Sequence, residues 1–187
     1  MIPVFESAQE KVRALLFDNQ HVPGLSPEIV QLFLDFAASS ADCCERHHAP
    51  GHFTGSALVL SADSQRTLLT HHRKLDRWLQ PGGHADGDGD LRAVALREAE
   101  EETGLVGLTV ESAILDLDRH WIPERKGEPG HWHYDVRFLV RATASEAFVI
   151  SEESHALKWW PLTAVATDAA FDPSLMRMAA RCLERPV

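Results

Sequence analysis

The stretch PGGHADGDGDLRAVALREAEEETGL, residues 81–105, constrains the fold more than any other part of this sequence. It begins with a Pro-Gly-Gly segment at 81–83, which forces a turn. It ends with Gly104 and Leu105, and glycine commonly follows the last turn of a helix. We therefore predict a helix from about Asp90 to Thr103, entered through a tight turn and ended by Gly104.

This predicted helix carries carboxylates on the side that should face the core. At roughly 100° per residue, its inward stripe is defined by Leu91, Val94 and Ala95. Glu98 and Glu102 fall on the centre line of that stripe and Glu101 on its edge, whereas Glu100 points to solvent. Buried carboxylates are costly and repel one another at this spacing, so a hard divalent cation would stabilise them, with Arg97 able to neutralise one. A solvated acidic face is the alternative, and spacing alone does not separate the two.

Apolar spacing and capping residues predict the elements around this helix. One N-terminal helix has an apolar face made of Phe5, Ala8, Val12, Leu15 and Leu16, and a second begins at Ser26 with Pro27 in its first turn. FTGSALVLS and TLLTHH predict a hairpin, LTVESAILDLD and HYDVRFLVRA predict longer strands, and DPSLMRMAARCLER predicts a last helix. Residues 38–52 lose apolar periodicity and predict a linker. Strands interrupted by one helix and closed by another indicate an α+β or α/β sandwich.

Composition limits the partners of the chain. The 187 residues are 44% hydrophobic, which is enough for one good core, and the formal net charge is −10. Duplex nucleic acid and anionic membranes both favour clustered Lys and Arg, so we expect neither as a partner. No run approaches the roughly 18 apolar residues of a membrane span, and the three cysteines do not form a disulfide framework. We expect a cytoplasmic protein with reduced thiols; a homodimer is possible.

The stretch 81–105 resembles the Nudix box, the signature of the Nudix hydrolases. That pattern begins with a Gly, here Gly83, and has a Glu after five intervening residues. After seven further residues comes its last segment, which in this chain is REAEEETGL at 97–105. Every element is present except the first Glu, which falls at Gly89. WLQPGG before the box and ESHALKWW after it are similar to flanking segments of the family. The resemblance covers roughly residues 53–165.

The resemblance implies a fold, a domain division and a reaction. The fold would be a Nudix-type α/β/α sandwich of the α+β class, with a mixed sheet between helices. Residues 1–50 would form an N-terminal helical extension and linker, and 51–187 the Nudix domain. The reaction would be divalent-metal-dependent cleavage of a diphosphate linkage in a nucleoside diphosphate derivative or a related organic diphosphate, a small-molecule substrate.

The resemblance also implies roles for individual residues. The ligands of Mg²⁺ or Mn²⁺ would be the backbone carbonyl of Gly82 with the side chains of Glu98, Glu101 and Glu102. Arg97 would orient these glutamates, and Glu101 or Glu153 would accept the proton of the attacking water. Asp88 and Asp90 flank Gly89 and can replace the missing carboxylate, unless that carboxylate only supports the metal ligands.

The chain has eleven histidines, and some of them form a pattern. His131 and His133 alternate on a predicted strand, so both share one face with Asp135. Together with His52 and His84, they are similar in position to a separate metal site of isopentenyl-diphosphate isomerase, which has a Nudix-type fold. This similarity implies Zn²⁺ or another transition metal. The alternative is that these residues line the substrate pocket.

Two other functions stay open on the residues. A Nudix-fold isomerase is disfavoured, because the essential cysteine of that enzyme falls here at Gly82. A non-catalytic nucleotide sensor would keep the fold while lacking the carboxylate at Gly89. In the loop IPERKGEPG, Arg125 and Lys126 could contact a substrate phosphate, and a solvated charge pair is the alternative.

Overall fold

The structure describes residues 7–125, 127–152 and 154–185 of this computed structural model, in which two helices precede a series of strands that is interrupted by one helix and followed by two more. The helices in these ranges are α1 (Ala8–Asp18), α2 (Pro27–Ser39), α3 (Leu91–Thr103), α4 (Leu162–Thr167) and α5 (Pro173–Leu183). The strands are β1 (Gly51–Leu60), β2 (Arg66–His72), β3 (Arg77–Leu79), β4 (Gly82–His84), β5 (Leu108–Ile122), β6 (His131–Ala142) and β7 (Ser154–Pro161). None of these helices is long and apolar enough to cross a membrane.

The strands of the described residues form one mixed sheet with β1 at its centre. The main path is β3-β2-β1-β6-β5, with β7 paired to β2 and β4 paired to β1. β1 and β6 are parallel, and their register places His52 beside His133 and Thr54 beside Asp135. On its other edge β1 pairs with β4 through Thr54–Ser56 and with β2 only at Val59 and Leu60. The short strand β4 therefore holds the Gly-Gly turn against the middle of β1.

Helices cover both faces of this sheet. On one face α3 crosses β1 at Gly55, where an added Cβ would lie 2.8 Å from the backbone oxygen of Leu91. The same core takes in α1 and α2 through residues such as Phe33. On the other face α4 and α5 pack on Leu58 and Leu139 of the sheet. The α+β class and the α/β/α sandwich predicted from the sequence are thereby confirmed.

The ends of the helices follow the local signals in the sequence. The side chain of Asp90 caps α3, and Gly104 ends it in the left-handed conformation with φ 66°. Ser26 caps α2 ahead of a proline, and Asp172 does the same for α5. These boundaries agree with the predictions, because caps and left-handed glycines are chosen by a few neighbouring residues.

The segment 38–52 differs from the linker predicted for it. Cys43 and Cys44 are buried, and the backbone carbonyl of Cys43 accepts a hydrogen bond from the N–H of Phe53 at 2.9 Å. The segment therefore packs against the start of β1 as part of the core. The proposed division of the chain at residue 50 stays a prediction.

Candidate active site

Two glutamates of α3 are held against the backbone of the Gly-Gly turn. The N–H of Gly82 donates to Oε1 of Glu102 at 2.8 Å. A Cβ at Gly83 would fall on the carboxylate of Glu98, so glycine lets that side chain pass close to the strand. The turn and the helix thus form one unit, in which the absence of side chains at Gly82 and Gly83 makes room for carboxylates on α3.

Glu98 and Glu102 line a cleft of about 380 Å³ on the described surface. Both are half-buried, because Ala99 and Thr103 take the fully buried positions in this half of α3. The two glutamates therefore lie beside the buried stripe and not on its centre line as predicted, which leaves their carboxylates open to the cleft. Glu100 is exposed, as predicted.

Arg97 and Glu101 are the sequence neighbours of the two cleft glutamates on α3 but do not themselves line the cleft. Glu101 is exposed and does not line the cleft beside Glu98 and Glu102. The guanidinium of Arg97 lies 3.4 Å from Oε1 of Glu98 and 3.4 Å from the backbone carbonyl of His84. Arg97 thus links Glu98 to β4. The orienting role of Arg97 and the metal-binding and proton-accepting roles of Glu101 stay predictions.

Asp135 is a buried carboxylate that lines the cleft and accepts hydrogen bonds from three side chains. Asp135, 2% exposed, accepts hydrogen bonds from Thr54 Oγ1 at 2.9 Å, Ser56 Oγ at 2.8 Å and Arg137 Nε at 2.7 Å. Arg137 is itself buried and lies 3.4 Å from Asp116. Burial acts to lower the pKa of Arg137, but the surrounding carboxylates, Asp135 first, hold that pKa above its ordinary value. This network fixes Asp135 between β1 and β6.

Four imidazoles from three strands meet at the end of the cleft. The ring of His52 lies 4.9 Å from that of His84 and 4.8 Å from those of His131 and His133, between centroids. His52 is 2% exposed, and neither of its ring nitrogens has a hydrogen-bond partner within the part of the chain that the structure describes. The parallel pairing of β1 with β6 and the antiparallel pairing of β1 with β4 therefore bring together the four histidines predicted from the sequence.

Burial lowers the pKa of three of these imidazoles, those of His52, His84 and His133. It lowers the pKa of His52 to about 3 and that of His133 to about 2, and the neighbouring histidines act in the same direction. The pKa of His84 is also lowered, first by burial and then by the charge of Arg46. Neutral imidazoles are the form that binds metal ions.

Some residues of the site carried no signal in the sequence. His120 lies opposite His133 in the antiparallel pairing of β5 and β6, with ring centroids 5.4 Å apart. Arg46, from the packed segment 38–52, forms an ion pair with Asp86 and lines the cleft. Lys74 lines it from the β2–β3 turn. Pairing register and the fold of a loop decide these positions, so spacing along the chain does not reveal them.

Other predicted site residues lie elsewhere. Arg125 is exposed in the β5–β6 loop, where its backbone pairs with that of Glu128 at 3.1 and 3.0 Å. It does not line the cleft of Glu98 and Glu102. Lys126 and Glu153 lie outside the described residues.

The sequence profile of the NUDIX domain matches residues 52–179. The chain belongs to the NUDIX domain family. Its relatives include the "Probable DHNTP pyrophosphohydrolase" of Lactococcus lactis, 31% identical over 98 residues that make up 50% of this chain and 56% of that protein. The m7GpppN-mRNA hydrolase of Xenopus laevis is 29% identical over 109 residues, 54% of this chain and 37% of that protein. The chain thus matches little more than half of one of these NUDIX relatives and about a third of the other.

Solved NUDIX structures share the fold at low sequence identity. A C. elegans Ap4A hydrolase in a binary complex superposes with a TM-score of 0.55 and 19% identity, covering 69% of this chain and 93% of the other. The MutT protein of Methanosarcina mazei superposes with a TM-score of 0.56 and 17% identity, covering 72% and 94%. In both comparisons, more than a quarter of this chain lies outside the superposed region.

Proposed function

We propose that this protein is a divalent-metal-dependent Nudix hydrolase that cleaves a diphosphate linkage in a nucleoside diphosphate derivative or a related organic diphosphate. The observation that carries the proposal is the contact of Glu98 and Glu102 with the Gly-Gly turn at the wall of a polar cleft. The relatives named above support the reaction class, because they are described as hydrolases or pyrophosphohydrolases.

The residues around this turn fit a hard divalent cation. Their donors are oxygen atoms of half-buried carboxylates, which Mg²⁺ and Mn²⁺ prefer over nitrogen or sulfur. The proposed ligands are Glu98 and Glu102, the backbone carbonyl of Gly82 and the exposed Glu101. When bound, such an ion neutralises the diphosphate and lowers the pKa of the attacking water.

The chain itself would supply orientation, charge and a proton acceptor. Arg97 holds the carboxylate of Glu98 close to β4. Arg46 and Lys74, which both line the cleft, would attract the anionic substrate. The oxygen of the attacking water bonds to phosphorus, the bond from phosphorus to the bridging oxygen breaks, and Glu101 or Glu153 accepts the proton of the water.

A substrate panel tests this proposal directly. The protein would be incubated with Mg²⁺ or Mn²⁺ and with dinucleotides, nucleotide sugars, nucleoside triphosphates and non-nucleotide diphosphates, with products separated by chromatography. We expect hydrolysis of at least one class, and its loss in EDTA. If no compound turns over while one nucleotide raises the melting temperature, the protein is a nucleotide sensor and the proposal is wrong.

A further inference from the structure

The histidine cluster suggests a second metal site with a different chemistry. We infer that His52, His131 and His133 bind one transition-metal dication of the Zn²⁺ class. One ligand nitrogen from each of these residues lies within 4.8 Å of the other two. The inference does not rest on the hydrolase proposal, because none of these three residues belongs to the carboxylate set of α3.

The burial of His52 is the observation that a structural role leaves unexplained. A histidine in a protein core normally forms hydrogen bonds through its ring nitrogens, because an unpaired buried polar group is costly. Both nitrogens of His52 are buried and neither has a partner among the described residues. Its ring faces three further imidazoles, so a bound ion would satisfy one nitrogen where no protein group does.

The spacing of His131 and His133 fits a tetrahedral ion. Their Nε2 atoms lie 3.3 Å apart. Two nitrogen ligands of a tetrahedral Zn²⁺, each at roughly 2.0–2.1 Å, stand roughly 3.3–3.4 Å apart. The nitrogen of His52 lies within 4.8 Å of both, a distance that would shorten when one ion binds all three residues.

A backbone contact sets the tautomer of one ligand. Nδ1 of His131 lies 2.9 Å from the carbonyl oxygen of Pro129, an acceptor that requires Nδ1 to carry the proton. The lone pair of His131 is then on Nε2, the atom that faces His133. A hydrogen bond of this kind orients the metal-binding histidines of many proteins.

The ligand atoms and their surroundings select the metal. Neutral imidazole nitrogen favours Zn²⁺, Ni²⁺, Co²⁺ or Cu²⁺, whereas Mg²⁺ favours oxygen. His84 lies on the same short strand as Gly82, and its ring is 5.0 Å from that of His133. It also borders a second cavity of about 420 Å³, lined by His52, His131 and Arg46 among others. The proposed ion therefore lies between this cavity and the carboxylate cleft.

Metal analysis of tag-free protein purified without nickel tests the inference. After incubation with Zn²⁺ and removal of excess metal, we expect one equivalent by mass spectrometry, and tetrahedral ligand-field absorption when Co²⁺ replaces Zn²⁺. His131→Asn, at a partly exposed position, should weaken Zn²⁺ binding by more than about 100-fold, since even residues that only support ligands account for about 10–100-fold. His21→Asn, on an exposed turn, is the matched control and should bind as the wild type does.

Further arms separate this site from the carboxylates and from misfolding. The double variant E98Q/E102Q should keep its equivalent of Zn²⁺ even if every hydrolase activity is lost. His52→Asn should lose Zn²⁺ binding, and circular dichroism would show whether it folds; His131→Asn decides the matter if it does not. A wild-type protein that retains no Zn²⁺, Ni²⁺ or Co²⁺ would overturn the inference, as would undiminished binding by His131→Asn.

Discussion

The backbone carbonyl of Ala8 occupies the space in which a β-carbon at Gly89 would lie. Ala8 is the first residue of α1, and Gly89 stands where the Nudix box pattern has its first glutamate. The start of α1 is therefore packed on the position at which this sequence departs from the Nudix box pattern. A side chain at 89 and this placement of α1 exclude one another.

Gly89→Ala should consequently loosen α1. The added methyl group meets backbone atoms, which cannot move aside as a side chain can, and overpacking of this kind costs about 1–3 kcal/mol. We expect a lower free energy of unfolding and faster amide hydrogen exchange across Ala8–Asp18. Gly127→Ala is the control, because a Cβ there meets nothing within 4 Å, although its positive φ adds some strain. Unchanged exchange in α1 of the Gly89 variant would contradict the prediction.

The glutamates of α3 should differ sharply in their contribution to catalysis. Glu98→Gln and Glu102→Gln each remove a charge from the cleft, and we expect kcat/KM with Mg²⁺ to fall by at least about 100-fold. Glu100→Gln changes a charge on the exposed side of the same helix and should leave kcat/KM within a factor of about 2. Full activity in either cleft variant would refute the assignment of the metal ligands.

The two glycines of the turn should respond differently to alanine. A Cβ at Gly83 meets the movable end of Glu98, whereas one at Gly82 meets the Cα of Ser56 at 2.9 Å. Gly83→Ala should therefore reduce Mg²⁺-dependent activity with little loss of stability, and Gly82→Ala should lower the melting temperature as well. Thermal unfolding and steady-state kinetics of both variants measure this contrast; an equal loss of stability in the two would oppose it.

Arg137 should contribute far more to stability than Arg141, the other arginine of β6. Arg137→Met leaves the buried Asp135 without its guanidinium partner, whereas Asp116 keeps Arg177 and Arg181, and breaking a buried pair from one side costs about 3–5 kcal/mol. Arg141→Met removes a half-exposed pair with Glu111, for which about 0–1 kcal/mol is expected. Urea unfolding gives both values, and similar losses would show that the network around Asp135 is not stabilising as proposed.

The sequence by itself determined the elements whose ends depend on near neighbours. Asp90 and Gly104 delimit α3, and Ser26 caps α2, because a cap satisfies backbone groups only a few residues away. The Gly-Gly turn and the carboxylates after it were sufficient to suggest the family, which the match over 52–179 confirmed.

The tertiary structure decided which of these residues meet. The parallel pairing of β1 and β6 joins His52 to His133, and the pairing of β5 and β6 adds His120, which no spacing in the chain suggested. The placement of α3 against the sheet also gives its glutamates different surroundings: Glu101 is exposed, whereas Glu98 lines the cleft. Strand register and helix placement depend on contacts between residues far apart in the chain, and a local pattern of residue types carries no information about those contacts.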